Sequence, residues 1–248
     1  MTKSATELAP VCILAGGLGT RLGEKVKDTP KPLLRVAGQP FVFHQLELLR
    51  EHGARRIVLC VAYLGELIED AVGDGSALGL ELSYSYDGPD LAGTAGAVRR
   101  ALPALGDEFL VLYGDTYLRI DYLDVQRAFR ESGLPALMTV LRNDGRWDTS
   151  NALFEDGRVK RYDKRNPTPD MRWIDYGLGM VRREVLEESD APDLAEVYTE
   201  LAERGKLAGY EATERFYEIG TPDSLLEADA FLRSLASKRR AAISDNPA

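Results

Sequence analysis

Cysteine is scarce in this sequence, which has two among 248 residues. Cys12 and Cys60 each lie inside an apolar run, "VCILAGG" and "IVLCVAY". Their spacing matches neither a metal-binding motif nor a redox pair. Thiols in such surroundings usually pack in the interior and stay reduced. We therefore expect two buried free cysteines.

Long apolar runs and long basic runs are also missing. No stretch reaches the roughly 18 consecutive apolar residues of a membrane span, and the first ten residues lack the apolar segment of a signal peptide. The 31 Lys and Arg residues face 40 Asp and Glu residues, a formal charge of −9, and the basic run "SKRR" (237–240) is short. This balance argues against sequence-independent nucleic-acid binding. We expect a soluble, cytoplasmic protein with no membrane or nucleic-acid partner.

The first half of the chain alternates apolar runs with amphipathic segments, which is typical of βαβ units. The predicted strands are 11–16, 56–63, 81–87, 109–115 and 135–141. The predicted helices are 41–53, 65–73, 94–104 and 121–132. This order favours an α/β, Rossmann-like fold: a mostly parallel sheet with helices on both faces.

The second half has a different pattern. Two short strands are predicted within 151–164, around the turn Glu155-Asp156-Gly157, and a further strand over 173–181. Helices are predicted near 193–204 and over 221–237. This half therefore predicts a small antiparallel subregion. We expect one domain over residues 1–238, with halves at about 11–141 and 142–238, followed by a flexible tail at 239–248.

The stretch "LAGGLGTRLGEKVKDTPKPL" (14–33) is rich in glycine and ends in Pro-Lys-Pro. Ordering such a loop costs conformational entropy, which a bound phosphate commonly offsets. The stretch lacks the Gly-Lys-Ser/Thr of a Walker A loop. A dinucleotide-binding fingerprint also fails, because Leu22 takes the place of its last small residue and Tyr63 the place of its acidic residue.

The same stretch resembles the signature of the sugar-1-phosphate nucleotidyltransferases, the NDP-sugar pyrophosphorylases. The resemblance implies that Gly16, Gly17 and Gly19 let the backbone wrap a nucleoside triphosphate. It also implies catalytic roles for Arg21, which would clamp the β and γ phosphates, and for Lys31, placed near the reacting phosphate. The nucleotide-binding set implied by the resemblance is Leu14, Ala15, Gly16, Gly17, Gly19, Thr20, Asp87, Gly93 and Thr94.

Two further segments extend the resemblance. "LAGTAGAVRRAL" (91–102) is similar to the segment that reads the base in that family, and Asp87 stands where a Gln or Glu usually pairs with the base. "YGD" (113–115) ends a predicted strand, where open α/β sheets bind ligands. The resemblance makes Asp115 a catalytic residue and the main Mg²⁺ ligand.

The acceptor half departs from the family pattern at three carboxylates. Asp163 replaces a Glu beside Lys164, Asp175 replaces an Asn, and Glu218 replaces the second metal-binding Asp. Glutamate also supplies hard oxygen for Mg²⁺. The sugar-phosphate-binding set implied by the resemblance is Gly114, Asn151, Asp163, Lys164, Asp175 and Gly177, with Asp115 and Glu218 as metal ligands.

The implied reaction converts a nucleoside triphosphate and a sugar 1-phosphate into a nucleotide sugar and pyrophosphate, with Mg²⁺ as cofactor. The chain looks most like short guanylyltransferases for heptose or mannose 1-phosphate. Uridylyltransferases for amino-sugar phosphates are nearly as similar. Cytidylyl transfer to another phosphorylated acceptor and a non-catalytic nucleotide-sugar-binding relative stay open as alternatives. The resemblance also leaves a homodimer open, and no exposed apolar stripe decides it.

Overall fold

The computed structural model of this chain describes residues 7–88 and 91–244 and is built on a nine-stranded sheet. The strands are β1 (Val11–Leu14), β2 (Arg35–Val36), β3 (Gln39–Pro40), β4 (Arg56–Val61), β5 (Glu81–Tyr86), β6 (Glu108–Tyr113), β7 (Thr116–Tyr117), β8 (Ala136–Arg142), β9 (Ala152–Glu155), β10 (Arg158–Tyr162), β11 (Trp173–Arg182), β12 (Leu207–Ala212) and β13 (Tyr217–Glu218). The helices are α1 (Phe41–Glu51), α2 (Gly65–Val72), α3 (Gly93–Leu105), α4 (Tyr122–Ser132), α5 (Arg183–Glu187), α6 (Leu194–Glu203) and α7 (Pro222–Ser244).

The sheet has the order β5-β4-β1-β6-β11-β8-β12-β10-β9. The neighbours β5, β4, β1 and β6 run parallel, as the alternation of strands and helices predicts. β11 then lies between β6 and β8 and is antiparallel to both. β12 is parallel to β8, while β10 is antiparallel to β12 and to β9. The sheet is therefore mixed, and the expectation of a mostly parallel sheet holds for its first half only.

The sheet is mixed because its two halves are connected differently along the chain. Parallel neighbours need a long crossover, usually a helix, whereas short loops join antiparallel neighbours. No helix lies between β8 and β11 along the chain. The expected antiparallel subregion is present as β9, β10 and the start of β11, but these strands belong to the same sheet as the parallel half.

Helices cover both faces of the sheet, as predicted. Buried side chains of α1, α2, α4 and α7 form one hydrophobic cluster with the strands. Buried side chains of α3, α5 and α6 form a second cluster on the other face. Both faces of β1, β4 and β6 are thus removed from water, which accounts for their continuous apolar runs. The edge strand β5 alternates polar and apolar residues, and none of its residues is fully buried.

α4 shows how the local sequence sets the ends of an element. Its Asp121 cap accepts hydrogen bonds from the backbone N–H groups of Leu123 and Asp124, each at 3.0 Å. Gly133, in the left-handed region with φ of 65°, ends the helix. α4 packs its buried face, which includes Val125 and Phe129, against β8, β11 and β12.

α7 is longer than predicted. It was expected to end at 237, but it continues to Ser244, so residues 239–244 of the expected tail are helical. Residues 245–248 lie outside the described part of the chain. Across residues 7–88 and 91–244, no helix combines the length and apolarity that a membrane crossing requires.

The prediction of two buried free cysteines is confirmed. Cys12 and Cys60 lie on the neighbouring strands β1 and β4, and both are free and buried. Their Sγ atoms are 3.4 Å apart. The hydrogen bond with Cys60 and, after it, burial raise the pKa of the Cys12 thiol well above its usual value.

Candidate functional site

A cavity of about 280 Å³ lies at the carboxyl ends of β1, β4 and β6. Parallel strands bring the loops that follow them to one edge of a sheet, which is where ligands bind in open α/β folds. The cavity is lined by most of the expected nucleotide-binding residues: Leu14, Ala15, Gly16, Gly17, Asp87, Gly93 and Thr94. Lys31 and Asp115 also line it. Gly19 and Thr20 lie outside the lining, at the turn where a 3₁₀ segment begins.

Glycine is required at two positions around this cavity for different reasons. The N–H of Gly114 donates to the carbonyl of Leu14 at 3.0 Å, and a Cβ on Gly114 would lie 2.5 Å from that oxygen. Gly114 therefore lets the β6 loop pass against the β1 loop. A Cβ on Gly17 would meet no protein atom within 4 Å, so packing does not explain that glycine. The resemblance implies instead that a triphosphate approaches the backbone there.

Lys31 and Asp115 form an ion pair in the wall of the cavity. Lys31 Nζ lies 2.5 Å from Asp115 Oδ2, and the two side chains are 11% and 28% exposed. Lys31 follows Pro30 and begins a short 3₁₀ turn with Pro32, so its backbone is fixed on both sides. The sequence places these residues 84 positions apart, and the fold brings them into contact.

Glu218 and Arg21 lie next to this pair. β13 pairs with β7, which sets Glu218 opposite Thr116, and the N–H of Ile219 donates to the carbonyl of Asp115 at 3.0 Å. Burial, and then the charge of Asp115, raise the pKa of Glu218, while Arg21 and Lys31 oppose that shift. A Cβ on Gly220 would lie 2.9 Å from Arg21 Nη2 and 3.3 Å from Glu218 Oε1. Glu218 therefore lies near two cations, Arg21 and Lys31, and near the carboxylate of Asp115.

The donor set suits Mg²⁺ bound together with a nucleotide. Asp115 and Glu218 offer hard carboxylate oxygens, and burial followed by the charge of Asp115 raises the pKa of Glu218. Within residues 7–88 and 91–244, no group of three or more His, Cys, Asp and Glu side chains is placed to hold a metal ion. Mg²⁺ is usually held by one or two carboxylates plus substrate phosphates and water. Asp115 and Glu218 would hold the ion on the protein side.

Asp193, a residue that no sequence motif singles out, lies between this cavity and a groove beside it. Its Oδ1 accepts hydrogen bonds from the N–H and the hydroxyl of Thr94, at 3.2 and 3.3 Å. We call the cavity of about 280 Å³ the nucleotide cavity, after the ligand that the sequence predicts for it. Asp193, Thr94 and Tyr113 line the nucleotide cavity and also a larger groove of about 670 Å³. These three residues form the boundary between two compartments of one site.

The larger groove runs between α6 and the loop that follows β10. We call it the acceptor groove, after the ligand that the sequence predicts for the residues of that loop. Lys164 and Asp163 both line it, as expected from the sequence. Asp163 Oδ1 accepts from the N–H groups of Arg165 and Asn166 at 2.8 Å, and these bonds lower the pKa of Asp163. Arg165 Nη2 lies 2.9 Å from Glu196 Oε1, which belongs to α6.

The other expected sugar-phosphate residues lie elsewhere. Asp175 is 5% exposed and does not line the groove; its carboxylate contacts Tyr162, Lys164 and the N–H of Gly177. Asn151 is buried and accepts a hydrogen bond from the N–H of Asp175 at 2.9 Å. Gly177, with φ of 96°, lies against Thr116 and Tyr113, and Gly114 lines the nucleotide cavity. Of the expected sugar-phosphate-binding set, Asp163 and Lys164 therefore line the larger groove.

Known proteins resemble this chain in sequence and in fold. The model of the Nucleotidyl transferase family matches residues 11–159. N-acetylmuramate alpha-1-phosphate uridylyltransferase of Neisseria meningitidis is 34% identical over 231 residues, which cover 88% of this chain and 96% of that protein. D-glycero-alpha-D-manno-heptose 1-phosphate guanylyltransferase of Campylobacter jejuni is 34% identical over 144 residues, which cover 58% of this chain and 63% of that protein.

A solved structure also resembles this chain in its fold. HddC from Yersinia pseudotuberculosis, complexed with GMP-PN, superposes with a TM-score of 0.72 at 26% identity. The match covers 91% of this chain and 100% of that chain. The likeness in fold therefore extends over most of this chain.

Proposed function

This chain belongs to the nucleotidyl transferase family, and we propose that it transfers GMP from GTP to a heptose or hexose 1-phosphate. The products are a GDP-sugar and pyrophosphate. The observation that carries the proposal is the ion pair of Lys31 and Asp115 in a cavity walled by the glycine loop. One cation and one carboxylate at a backbone-lined cavity suit a triphosphate and its magnesium ion.

The proposed reaction is a direct displacement at the α-phosphorus. An ionised oxygen of the sugar 1-phosphate attacks the α-phosphorus, a new P–O bond forms, and the bond to the bridging oxygen of pyrophosphate breaks. The attacking oxygen of the sugar 1-phosphate is already ionised. The protein therefore has to position the two substrates and neutralise their charge, and it does not have to remove a proton. Mg²⁺ held by Asp115 and Glu218 would supply charge neutralisation between the phosphates.

Each protein group has a role in this displacement. Lys31 and Arg21 stabilise the negative charge on the departing pyrophosphate. Lys164, whose side chain is 41% exposed in the acceptor groove, binds the phosphate of the acceptor. The glycine loop accepts the triphosphate against its backbone.

Asp87 supports guanine as the base. Its side chain is 9% exposed and lines the nucleotide cavity. Among residues 7–88 and 91–244, its polar contacts are long, 3.4 Å to the N–H of Ala92 and 3.8 Å to Arg100. Both carboxylate oxygens can therefore accept further hydrogen bonds. Guanine presents two donors side by side, its N1–H and N2–H₂ groups, and uracil presents a single donor. GMP-PN, the ligand of the HddC structure, is a guanine nucleotide.

Uridylyl transfer to N-acetylmuramate 1-phosphate is the second candidate. The Neisseria uridylyltransferase matches this chain over 96% of its own length, whereas the heptose guanylyltransferase matches over 63%. Both candidates use the same phosphate chemistry. They differ in the base and in the acceptor.

A grid of pyrophosphate-release assays separates the candidates. GTP, UTP, CTP, dTTP and ATP are crossed with mannose, heptose, glucose and N-acetylmuramate 1-phosphates in the presence of Mg²⁺. We expect the highest kcat/KM with GTP and a heptose or mannose 1-phosphate. A preference for UTP with N-acetylmuramate 1-phosphate would replace the proposal with the second candidate.

A variant of Asp87 tests whether this residue recognises the base. Asp87→Asn keeps one acceptor oxygen and loses the other, so the ratio of GTP to UTP kcat/KM should fall by about tenfold or more. Asp70→Asn, an exposed carboxylate on α2, is the matched control and should leave the ratio unchanged. An unchanged ratio in Asp87→Asn would remove Asp87 from base recognition.

A further inference from the structure

Asp175 belongs to the sugar-phosphate-binding set that the resemblance implies, yet its carboxylate faces the protein. Its Oδ2 lies 3.1 Å from Lys164 Nζ and accepts a hydrogen bond from the hydroxyl of Tyr162 at 2.9 Å. Its Oδ1 accepts from the N–H of Gly177 at 3.0 Å. With 5% of the side chain exposed, these partners occupy both oxygens. We propose that Asp175 is a positioning residue that acts through Lys164, and that it does not contact the sugar.

The backbone around Asp175 is built to hold this orientation. The pairing of β11 with β8 is irregular between Asp175 and Gly179, and Gly177 within that irregularity has φ of 96°. The bulge turns the N–H of Gly177 back onto the Asp175 carboxylate. Asn151 fixes the same residue from the other side, by accepting from its N–H. The carboxylate is therefore placed by the strand itself before any ligand binds.

Lys164 is confined by rings as well as by charge. Its Nζ lies 5.2 Å from the ring centroid of Tyr113 and 5.7 Å from that of Tyr162. Burial, and then the charge of Asp175, raise the pKa values of both tyrosines well above their usual value. Both phenols therefore stay protonated and can donate to Asp175. A lysine on an open surface would sample many rotamers, and this one is held at a single place.

The negative charge of Asp175 matters for the position of Lys164. Lys164 contacts an anion on its inner side, and its remaining surface, 41% of the side chain, is open to the acceptor groove. An amide at position 175 would keep the shape but not the opposite charge. Preorganising a charged donor lowers the cost of binding and of reaching the transition state. Asp175 thus sets the position from which Lys164 meets the acceptor phosphate.

A double-mutant cycle tests this inference, which rests on the proposed function. The variants are Asp175→Ala, Asp175→Asn, Lys164→Ala and the double variants, assayed with GTP and mannose 1-phosphate, or with the fastest pair of the grid. Asp175→Ala should lower acceptor kcat/KM by about 10- to 100-fold, with Asp175→Asn between it and wild type. The KM for GTP should change by less than about twofold, because Asp175 does not line the nucleotide cavity.

The decisive comparison is made in the absence of the lysine. In the Lys164→Ala background, loss of Asp175 should cost less than about threefold, because its effect passes through the missing ammonium group. An equal loss in both backgrounds, or an equal rise in the KM for GTP, would overturn the inference. Tyr162→Phe, which removes one partner of Asp175, should give a smaller loss with the same dependence on Lys164.

Controls separate this inference from folding and from the proposed function. Asp156→Asn changes an exposed carboxylate in the turn between β9 and β10 and should leave all constants unchanged. Urea unfolding of each variant identifies any that fails to fold, and Tyr162→Phe then carries the test. A wild-type protein that releases no pyrophosphate with any pair refutes the proposed function. An active wild type with additive variants refutes the role of Asp175.

Discussion

Asp193 and Thr94 cap each other's helices across 99 positions of sequence. The carboxylate of Asp193 accepts from the N–H of Thr94, an otherwise unsatisfied donor in the first turn of α3. The hydroxyl of Thr94 accepts from the N–H of Leu194 at 2.8 Å, at the start of α6. The carbonyl of Pro192 also accepts from the N–H of Ala95, at 2.9 Å. This reciprocal cap joins the nucleotide cavity to the acceptor groove.

Asp193→Ala should loosen both compartments. Loss of the cap should lower the free energy of unfolding by about 1 kcal/mol, as for other helix caps. The KM for the nucleotide and the KM for the acceptor should rise together, because Asp193 lines both compartments. Asp193→Asn retains an acceptor oxygen and should recover most of the stability. A rise in one KM alone would show that the cap does not couple the two compartments.

Lys31→Ala and Asp115→Ala should each lower turnover by at least about 100-fold, because both act on charge that develops in the transition state. Stopped assays of pyrophosphate release at saturating substrates measure the effect. Lys206→Ala, an exposed lysine beyond α6, is the control and should retain wild-type turnover. Near-normal turnover in either site variant would remove that residue from the catalytic machinery.

Gly17→Ala should separate folding from nucleotide binding. Its φ is ordinary and a Cβ would meet no protein atom within 4 Å, so the urea midpoint should stay at the wild-type value. The KM for the nucleotide should rise by about tenfold, since the new methyl group would face the phosphates. A stable variant with an unchanged KM would show that the triphosphate does not approach this part of the loop.

The Cys12 thiol predicts a pH dependence of stability. Its pKa is raised well above the usual 9.0 in the folded chain, so folding disfavours the thiolate. The contribution of the thiol to stability is complete below the pKa of the unfolded chain and is lost as the pH rises through the folded value. Between about pH 8 and 10.5, the unfolding free energy of wild type should therefore fall more than that of Cys12→Ala. Parallel pH curves for the two proteins would contradict the shift.

The sequence predicts the parallel half of the fold well because β1, β4 and β6 are continuous apolar runs that alternate along the chain with amphipathic segments. It does not predict that β11 enters antiparallel between β6 and β8, since strand order depends on contacts between distant segments. The end of α7 was also missed. The pattern of its apolar residues stops near Leu235, whereas the helix continues to Ser244.

Some residues of the candidate site are predictable from the sequence and others are not. The glycine loop, Lys31 and Asp115 carry local sequence signals, and the structure places them around one cavity. Asp193 falls at the start of a predicted helix, and nothing in the sequence links it to Thr94. The resemblance implies a sugar-phosphate role for Asp175, and no local pattern predicts the strand irregularity beside it or its 5% exposure.

Direct detection of the product tests the proposed activity. The protein is incubated with GTP, Mg²⁺ and a heptose or mannose 1-phosphate, and nucleotides are separated and identified by mass spectrometry, with Asp115→Ala in parallel. We expect a GDP-sugar and an equal amount of pyrophosphate from the wild type, both dependent on the acceptor, and neither from Asp115→Ala. Wild-type protein that binds GTP but forms no GDP-sugar would contradict guanylyl transfer.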